Sequence, residues 1–287
     1  MERHFLSLQR KNIYDLVSAQ CSRAIARAYT TSFALGIKCL HKQYHQPIYA
    51  IYSFFRLGDE IVDSFQAYPR ATLLKKYKVD TYQAIADRIS LNPVLNAFQH
   101  VVHDYQIGTE LIDLFFDSME MDLTQQTHTQ ASLEKYLLGS SEVVGLMCLQ
   151  VFCKGDKQQY IQLKPYAIRL GKALQKVNFL RDLDTDYKKL GRTYFPHIDF
   201  EQFSDAEKRK IEQDIAIDFQ EALIGIKLLP IGAKFGVYIA YKYYKALFRK
   251  ICSVPSSRLL QQRIRLPSYR KYAIALQARL RYSLNYL

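Results

Sequence analysis

Apolar residues recur at helical spacing along almost the whole 287-residue chain. In the stretch "QPIYAIYSFFRLGDEIVDSF", for example, Ile48, Ile51 and Phe55 follow the i, i+3/i+4 rule that marks one face of a helix. Glycine (11) and proline (8) are scarce, which disfavours an all-β fold built on tight turns. The chain has no βαβ alternation, internal repeat or linker rich in Pro, Gly or Ser. The pattern therefore predicts one all-α domain over residues 1–287, with about ten helices.

The chain is strongly basic, with 40 Lys and Arg against 27 Asp and Glu and a net charge of +13. Such an excess attracts anions, which include nucleic acid, anionic lipid and phosphorylated substrates. The C-terminal region, with its run "RLLQQRIRLPSYRKY", is the most basic part. Because no nucleic-acid-binding motif is present, we expect no nucleic-acid partner. Peripheral membrane contact by the basic region stays open, and so does the oligomeric state.

Five cysteines, none of them in a CxxC pair, indicate neither a disulfide framework nor a zinc site. Reduced thiols are typical of a cytoplasmic protein. The N-terminal "MERHFLSLQRKN" lacks the apolar core of a signal peptide. No uninterrupted apolar run reaches the length of about 18 residues that a membrane-spanning helix needs. These features predict a cytoplasmic protein, with membrane association as an option.

Two pairs of aspartates are spaced as metal ligands, Asp59/Asp63 in "RLGDEIVD" and Asp182/Asp186 in "NFLRDLDTDYKKL". Residues i and i+4 share a helix face with Cβ atoms about 5–6 Å apart, so two carboxylates there repel unless a cation lies between them. Mg²⁺ accepts carboxylate oxygens while keeping several waters. The spacing alone is weak, because 27 acids in 287 residues give about 2.5 such pairs by chance. Two further pairs are indeed present, Asp113/Asp117 and Asp214/Asp218.

The neighbouring residues separate these four pairs. At about 100° per residue, each of the first two pairs falls on a polar stripe, and the second stripe lies between apolar flanks, as an internal wall would. The first stripe consists of Tyr52, Arg56, Asp59 and Asp63, and the second of Gln175, Asn178, Asp182 and Asp186. The stripes around Asp113 and Asp214 collect further acids and no amide, as expected of solvated faces.

These motifs, in this order, resemble the squalene/phytoene synthase family of head-to-head prenyl transferases. The resemblance runs from about Tyr29 to Pro267 and includes "TTSF", "RLGDEIVD", "YLLGSSEVVGLM" and "QKVNFLRDLDTDYKKLGRTYFP". The last of these matches a QxxNxxRDxxxDxxxGRxYxP pattern. The stretches "EVVGLMCL" and "RIRLP" are most similar to bacterial phytoene synthases. Glu60 departs from the many relatives that have a second aspartate at this position, although it keeps a carboxylate.

The resemblance implies an all-α isoprenoid synthase fold around a central cavity. Aspartates on two facing helices would hold Mg²⁺, with Mn²⁺ as an alternative, and the metal would bind a prenyl diphosphate substrate. The implied metal ligands are Asp59, Asp63, Asn178, Asp182 and Asp186. The implied diphosphate-binding residues are Arg56, Arg181, Arg192 and, in the C-terminal region, Arg263 or Arg265. The residues expected near the reacting carbons are Ser32, Gln175 and the catalytic candidate Tyr136.

The resemblance also implies an apolar tunnel for the prenyl chains. Candidates for its wall are Val143, Val144, Leu146 and Met147, for each of which ordinary core packing is equally open. Tyr194 is a further site candidate beside Arg192, and one tyrosine of the segment 241–244 is expected to face the cavity.

The leading functional interpretation is an Mg²⁺-dependent phytoene synthase. Such an enzyme condenses two geranylgeranyl diphosphates through prephytoene diphosphate to phytoene, the first step of carotenoid biosynthesis. The alternative is a squalene or dehydrosqualene synthase acting on farnesyl diphosphate, and squalene synthases also use NADPH. A different class, a non-catalytic basic helical protein that binds nucleic acid or membrane, would tolerate the loss of Asp59 or Asp182.

Overall fold

The computed structural model describes residues 2–30, 32–196, 198 and 200–283, and these residues form α-helices and connecting loops without a β-strand. In chain order the helices are α1 (Glu2–Tyr29), α2 (Ser32–Lys38), α3 (Lys42–Asp63), α4 (Arg70–Asp87), α5 (Pro93–Asp104), α6 (Thr109–Thr124), α7 (Gln130–Leu137), α8 (Val143–Cys153), α9 (Lys157–Leu190), α10 (Asp205–Leu228), α11 (Ile231–Cys252), α12 (Ser256–Leu259) and α13 (Ser268–Ser283). All but α2, α7 and α12 have eleven or more residues. The all-α prediction is confirmed for the described residues.

Two long helices, α3 and α9, form the framework of the interior. The buried face of α3 is centred on Phe54, whose ring stacks on Phe98 of α5 at 3.9 Å between centroids and contacts Phe115 of α6. Helix α9, with 34 residues, packs along α8, α10 and α11. The aromatic contacts fix the rotation of α3 about its axis, because large rings tolerate few packing geometries. Each of the two helices thereby turns a second face to the cavity described below.

A turn of π-helix, Leu138–Glu142, joins α7 to α8. Gly139 in this turn lies so close to α6 that a Cβ would sit 2.1 Å from the carbonyl oxygen of Leu114. Gly171 of α9 approaches from the other side, where a Cβ would lie 2.9 Å from the carbonyl oxygen of Ser141. The two glycines therefore let α6, the π-turn and α9 pack backbone against backbone.

The C-terminus of α9 has a specific stop signal. Gly191 adopts the left-handed conformation (φ 66°), and the Arg192 N–H donates to the Asp186 carbonyl oxygen at 2.8 Å. Such a cap reverses the chain at low cost only with a residue that tolerates positive φ. The Thr193 N–H then donates to the carbonyl oxygen of Gln126 at 2.7 Å, which ties the segment after α9 to the α6–α7 connection. The reversal brings Arg192 back beside the end of α3.

One cluster of buried residues extends from Ala26 in α1 to Ala278 in α13. It supports the organisation of residues 1–287 as one domain, which stays a prediction. Within the described residues, one helical stretch, Gln130–Cys153, is long and apolar enough to cross a membrane, but 67% of its apolar window is buried inside the protein, as in a core helix. The five cysteines are unpaired, as the sequence predicts.

Candidate active site

A cavity of about 440 Å³ lies between α3, α9 and the helices packed beside them. Its polar lining comes from the C-terminal halves of α3 and α9 and includes Asp59 and Asn178. Its apolar lining includes Ile48 and Leu163, from the N-terminal halves of the same helices. At 1.5 Å per residue, Ile48 and Asp59 are about 16 Å apart along α3, and Leu163 and Asn178 are about 22 Å apart along α9. The cavity is therefore a trough about 16–22 Å long along these helices, with one charged end and one apolar end.

Of the four aspartates, Asp59 lines the charged end, whereas Asp63, Asp182 and Asp186 lie behind it and do not line the cavity. Burial, the adjacent Asp182 and Asp63 of α3 together raise the pKa of Asp186 to about 7. Burial and the neighbouring Asp63 likewise raise the pKa of Asp59 to about 7, although Arg56 acts in the opposite direction. An ion pair joins the ends of the two helices, because Arg192, just after α9, has its Nη1 2.8 Å from Oδ1 of Asp63 at the end of α3. The site thus concentrates more negative charge than its own cations neutralise.

Asn178 provides a second indication that this end suits a cation. Its Nδ2 donates to Gln175 Oε1 at 3.3 Å, whereas its buried Oδ1 accepts no hydrogen bond from any described residue. A buried acceptor without a partner is costly, and a bound cation would satisfy it. Among the described residues, no three Asp, Glu, His or Cys side chains lie close enough together to hold an ion alone. Mg²⁺ is commonly held by one or two carboxylates and completed by water and substrate phosphates, so this donor set fits that ion.

Three of the predicted arginines converge on the charged end. Arg181 binds Asp182 through two contacts, Nε to Oδ1 at 2.9 Å and Nη2 to Oδ2 at 2.5 Å. Arg263, from the segment after α12, reaches the same carboxylate with Nε 2.7 Å from Oδ1. Arg56 pairs with Glu60 and lies over the ring of Tyr29 at 4.4 Å, and its buried Nε has no partner among the described residues. These guanidinium groups could bind an anion that enters between them.

A buried network behind the aspartates contains a residue that the sequence analysis missed, Asp122 of α6. Its side chain accepts a hydrogen bond from Tyr136 Oη at 2.9 Å and one from Tyr194 Oη at 3.4 Å. Arg192 links this acid to the first pair, because its Nη1 lies 2.8 Å from Asp63 Oδ1 and its Nη2 donates to the Asp122 carbonyl oxygen at 2.9 Å. Burial raises the pKa of Asp122 to about 7, while Arg192 opposes the shift. The sequence feature that could have revealed Asp122 is the presence of an acid at a core-facing position of the otherwise apolar face of α6.

The remaining predicted residues divide into those that line the cavity and those that do not. Gln175 and Val144 line it, and Tyr244 is the tyrosine of the segment 241–244 that does so. The other tunnel candidates are core residues, namely Val143, Leu146 and Met147, which are 0%, 2% and 0% exposed. Tyr136 belongs to the network around Asp122 instead of the cavity wall. Arg265 is exposed away from the cavity, and the Ser32 side chain lies outside the described residues.

The two other aspartate pairs differ from each other. Asp113 and Asp117 are exposed, with 55% and 41% of their side chains accessible, as the sequence predicts. The prediction of a solvated face is wrong for Asp218, whose side chain is 0% exposed and binds Lys176 Nζ at 2.7 Å and Arg169 Nη1 at 2.9 Å. Helix α10 packs lengthwise against α9, so this face of α10 meets basic side chains instead of water.

Comparisons with known proteins agree with this geometry. A family model described as squalene/phytoene synthase matches residues 26–216. The 4,4'-diapophytoene synthase of Staphylococcus haemolyticus is 25% identical over 68% of each chain. The presqualene diphosphate synthase of Sinorhizobium fredii is 30% identical over 66% of this chain and 67% of that protein. The 15-cis-phytoene synthase of Synechococcus elongatus is 24% identical over 88% of this chain and 89% of that protein.

Among solved structures, a dehydrosqualene synthase in complex with a ligand superposes with a TM-score of 0.78 at 20% identity, covering 94% of this chain and 98% of that chain. The protein therefore has the all-α fold of squalene and dehydrosqualene synthases. Because the family model spans most of the chain, the chain belongs to the squalene/phytoene synthase family of head-to-head prenyl transferases. The resemblance seen in the sequence motifs is confirmed.

Proposed function

We propose that the protein condenses two molecules of geranylgeranyl diphosphate head to head, through prephytoene diphosphate, to phytoene. The observation that carries this proposal is the shape of the cavity, in which one end gathers carboxylates and guanidinium groups and the rest is an apolar trough. A prenyl diphosphate has the same division, since its diphosphate is strongly charged and its chain is a hydrocarbon. Phytoene formation would make the protein the first enzyme of carotenoid biosynthesis.

The diphosphate groups would bind at the charged end. Arg56, Arg181 and Arg263 supply donors in the fork geometry that suits phosphate oxygens. Mg²⁺ ions, or Mn²⁺ in their place, would each be held by one or two of the predicted ligands Asp59, Asp63, Asn178, Asp182 and Asp186, with water and diphosphate oxygens completing the coordination. When bound, such an ion acts as a Lewis acid on the diphosphate oxygens. The arginine donors stabilise the charge that develops as the diphosphate leaves, because they are already fixed by their carboxylate partners.

The trough would hold the prenyl chains and protect the carbocations. The rings of Phe33 and Tyr52 stack at 5.3 Å between centroids at the wall, and Tyr244 adds a third ring from α11. Aromatic faces attract cations, and apolar walls keep out water, which would otherwise capture a cation as an alcohol. Burial raises the pKa of Tyr52 to about 12, so that its hydroxyl stays protonated and is a poor nucleophile.

The chemistry divides into two ionisations. In the first, one substrate loses its diphosphate, its C1 bonds to the C2–C3 double bond of the second substrate, and loss of a proton closes the cyclopropane of prephytoene diphosphate. In the second, this intermediate loses its own diphosphate, rearranges to the 1–1′ linkage and loses a proton to give phytoene. No reductant is consumed, in contrast to the formation of squalene.

The choice of a C20 substrate rests on a resemblance of two sequence stretches. The stretches "EVVGLMCL" and "RIRLP" are similar to bacterial phytoene synthases. The 4,4'-diapophytoene synthase and the presqualene diphosphate synthase, whose names indicate products built from C15 units, match at similar identity. Farnesyl diphosphate is therefore the alternative substrate, and dehydrosqualene or squalene is the alternative product.

The test is to incubate the purified protein with Mg²⁺ and, separately, farnesyl and geranylgeranyl diphosphate, with and without NADPH, and to identify the hydrocarbons by mass. A C40 product formed from the C20 substrate without NADPH supports the proposal, whereas a C30 product moves the assignment to the alternative. Asp59→Asn and Asp182→Asn should remove most activity, and the exposed Asp117→Asn serves as the matched control. Absence of product from both substrates, with the fold verified by circular dichroism, refutes the proposal.

A further inference from the structure

The net positive charge of the protein is confined to its C-terminal part. Residues 222–287 contain 13 Lys and Arg and no Asp or Glu, whereas residues 1–221 contain 27 of each sign. The described portion of this region comprises the end of α10, α11, α12 and α13. Because the rest of the chain is neutral overall, this region carries the whole excess of positive charge. Such an asymmetric field orients a protein toward an anionic surface.

Helix α13 carries an apolar stripe on its outer face. Tyr269, Leu276 and Leu280 are 68%, 64% and 56% exposed, and Ala273 between them is exposed as well. At 100° per residue, these four positions fall within a sector of about 60°. The solvent-facing side of a helix in a globular protein is normally polar, so an outer stripe of tyrosine, alanine and two leucines needs an explanation.

The stripe is separate from the face by which α13 binds the rest of the protein. Ala278 is 0% exposed, and the ring of Tyr282 packs on Phe235 of α11 at 4.9 Å between centroids. The exposed Arg270 and Arg279 lie about 90° to either side of the apolar stripe. The helix is thus apolar on two opposite faces, one anchored on α11 and the other facing outward between arginines.

We propose that the outer face of α13 is a docking surface for a membrane that contains anionic lipid. Leucine and tyrosine side chains enter the boundary between headgroups and acyl chains, while flanking arginines bind lipid phosphates. A nucleic acid would satisfy the arginines but would offer no apolar phase to Leu276 and Leu280. A second copy of the chain would cover the leucines but would bring two sets of Arg270 and Arg279 together, which like-charge repulsion disfavours.

The docking surface on α13 lies one helix away from the cavity. Helix α11 lies between the two, because its Val237 and Ala240 line the cavity while its Phe235 packs on α13. Docking through α13 would therefore hold the cavity one helix away from the lipid phase. Proximity to lipid would help the product to leave, because a long hydrocarbon dissolves in lipid and not in water, and this advantage rests on the proposed function. Membrane binding itself is independent of any activity.

The test is flotation of the full-length protein at low salt with vesicles of pure phosphatidylcholine and with vesicles that also contain phosphatidylglycerol. The wild type should bind the anionic vesicles. The double variant Arg270→Gln/Arg279→Gln should lower the partition coefficient about 30-fold, because each basic residue at an anionic surface contributes a factor of about five. Leu276→Ser/Leu280→Ser should lower it more than about tenfold through lost apolar burial. The control Lys76→Gln/Lys135→Gln removes the same charge from side chains that are 70% and 57% exposed, and should change binding less than about threefold.

Three results would overturn the proposal. The first is no binding to anionic vesicles at low salt, or equal binding by both α13 variants and the wild type. The second is binding to a single-stranded or duplex oligonucleotide that is as tight as vesicle binding and is lost in the arginine variant alone. The third is a dimer, seen by light scattering, that dissociates in the leucine variant. Prenyl transfer measured with detergent-dispersed substrate should be unchanged in both α13 variants, which separates failure of docking from failure of the proposed activity.

Discussion

Replacing Asp186 with asparagine should stabilise the metal-free protein while it removes activity. Burial beside Asp182 and Asp63 raises the pKa of Asp186 from 3.8 to about 7. At pH 8 this side chain is ionised in the folded and the unfolded protein, but only the folded protein holds it against two other carboxylates. Asparagine has nearly the same shape and no charge, so the repulsion disappears together with the charge that a cation would need.

The size of the effect follows from the shift in pKa. Three units at 1.36 kcal/mol each give an upper limit of about 4 kcal/mol at pH 8. Because the side chain is partly exposed and salt screens its neighbours, we expect about 1–3 kcal/mol, or a rise in Tm of about 3–8 °C. A carboxyl group whose pKa is raised by folding stabilises the fold at low pH and loses this contribution as the pH rises from about 4 to about 7. The gain from asparagine should therefore shrink by more than half between pH 8 and pH 5.

The assay is thermal and urea unfolding in EDTA at pH 5 and pH 8, with activity measured in parallel. The control is Asp117→Asn, an exposed acid of another i, i+4 pair that lies 3.5 Å from Lys135, and its effect should stay within about 0.5 kcal/mol. Added Mg²⁺ should stabilise the wild type more than Asp186→Asn. A variant that is less stable than the wild type in EDTA at pH 8, or a gain that is equal at both pH values, would refute the reasoning.

Three further predictions concern residues outside the two metal-ligand pairs. Asp122→Asn should lower kcat/KM by about 10- to 100-fold, because Arg192 and Tyr136 lose the acid that orients them, and unchanged steady-state kinetics would contradict this role. Asp218→Asn should cost about 3–5 kcal/mol in urea unfolding, since it leaves buried Lys176 without its full charge compensation, whereas the exposed Asp113→Asn should cost less than about 0.5 kcal/mol. Gly139→Ala should cost about 2 kcal/mol or more, because its Cβ would lie 2.1 Å from a backbone oxygen, and a Tm equal to that of the wild type would disprove this.

The local features of the site follow from the sequence. Helical periodicity is a property of neighbouring residues, so the stripe that contains Arg56 and Asp59 is recognisable in the sequence alone, and these residues line the cavity. The same holds for Gln175 and Asn178 on α9. The stop after α9 is also a local feature, because Gly191 is the residue type that permits the left-handed turn.

Other features depend on which helix packs against which, and no local pattern contains that information. Asp113 and Asp218 belong to pairs of the same spacing, yet only the second is buried, because α10 meets the basic side chains of α9. Met147 and Val144 lie on one short helix, but only Val144 lines the cavity, whereas Met147 is buried in the core. The sequence by itself determined the all-α class, the family and the positions of the carboxylates along their helices. Only the tertiary structure decided which of these carboxylates meet, because burial and repulsion arise from contacts between residues far apart in the chain.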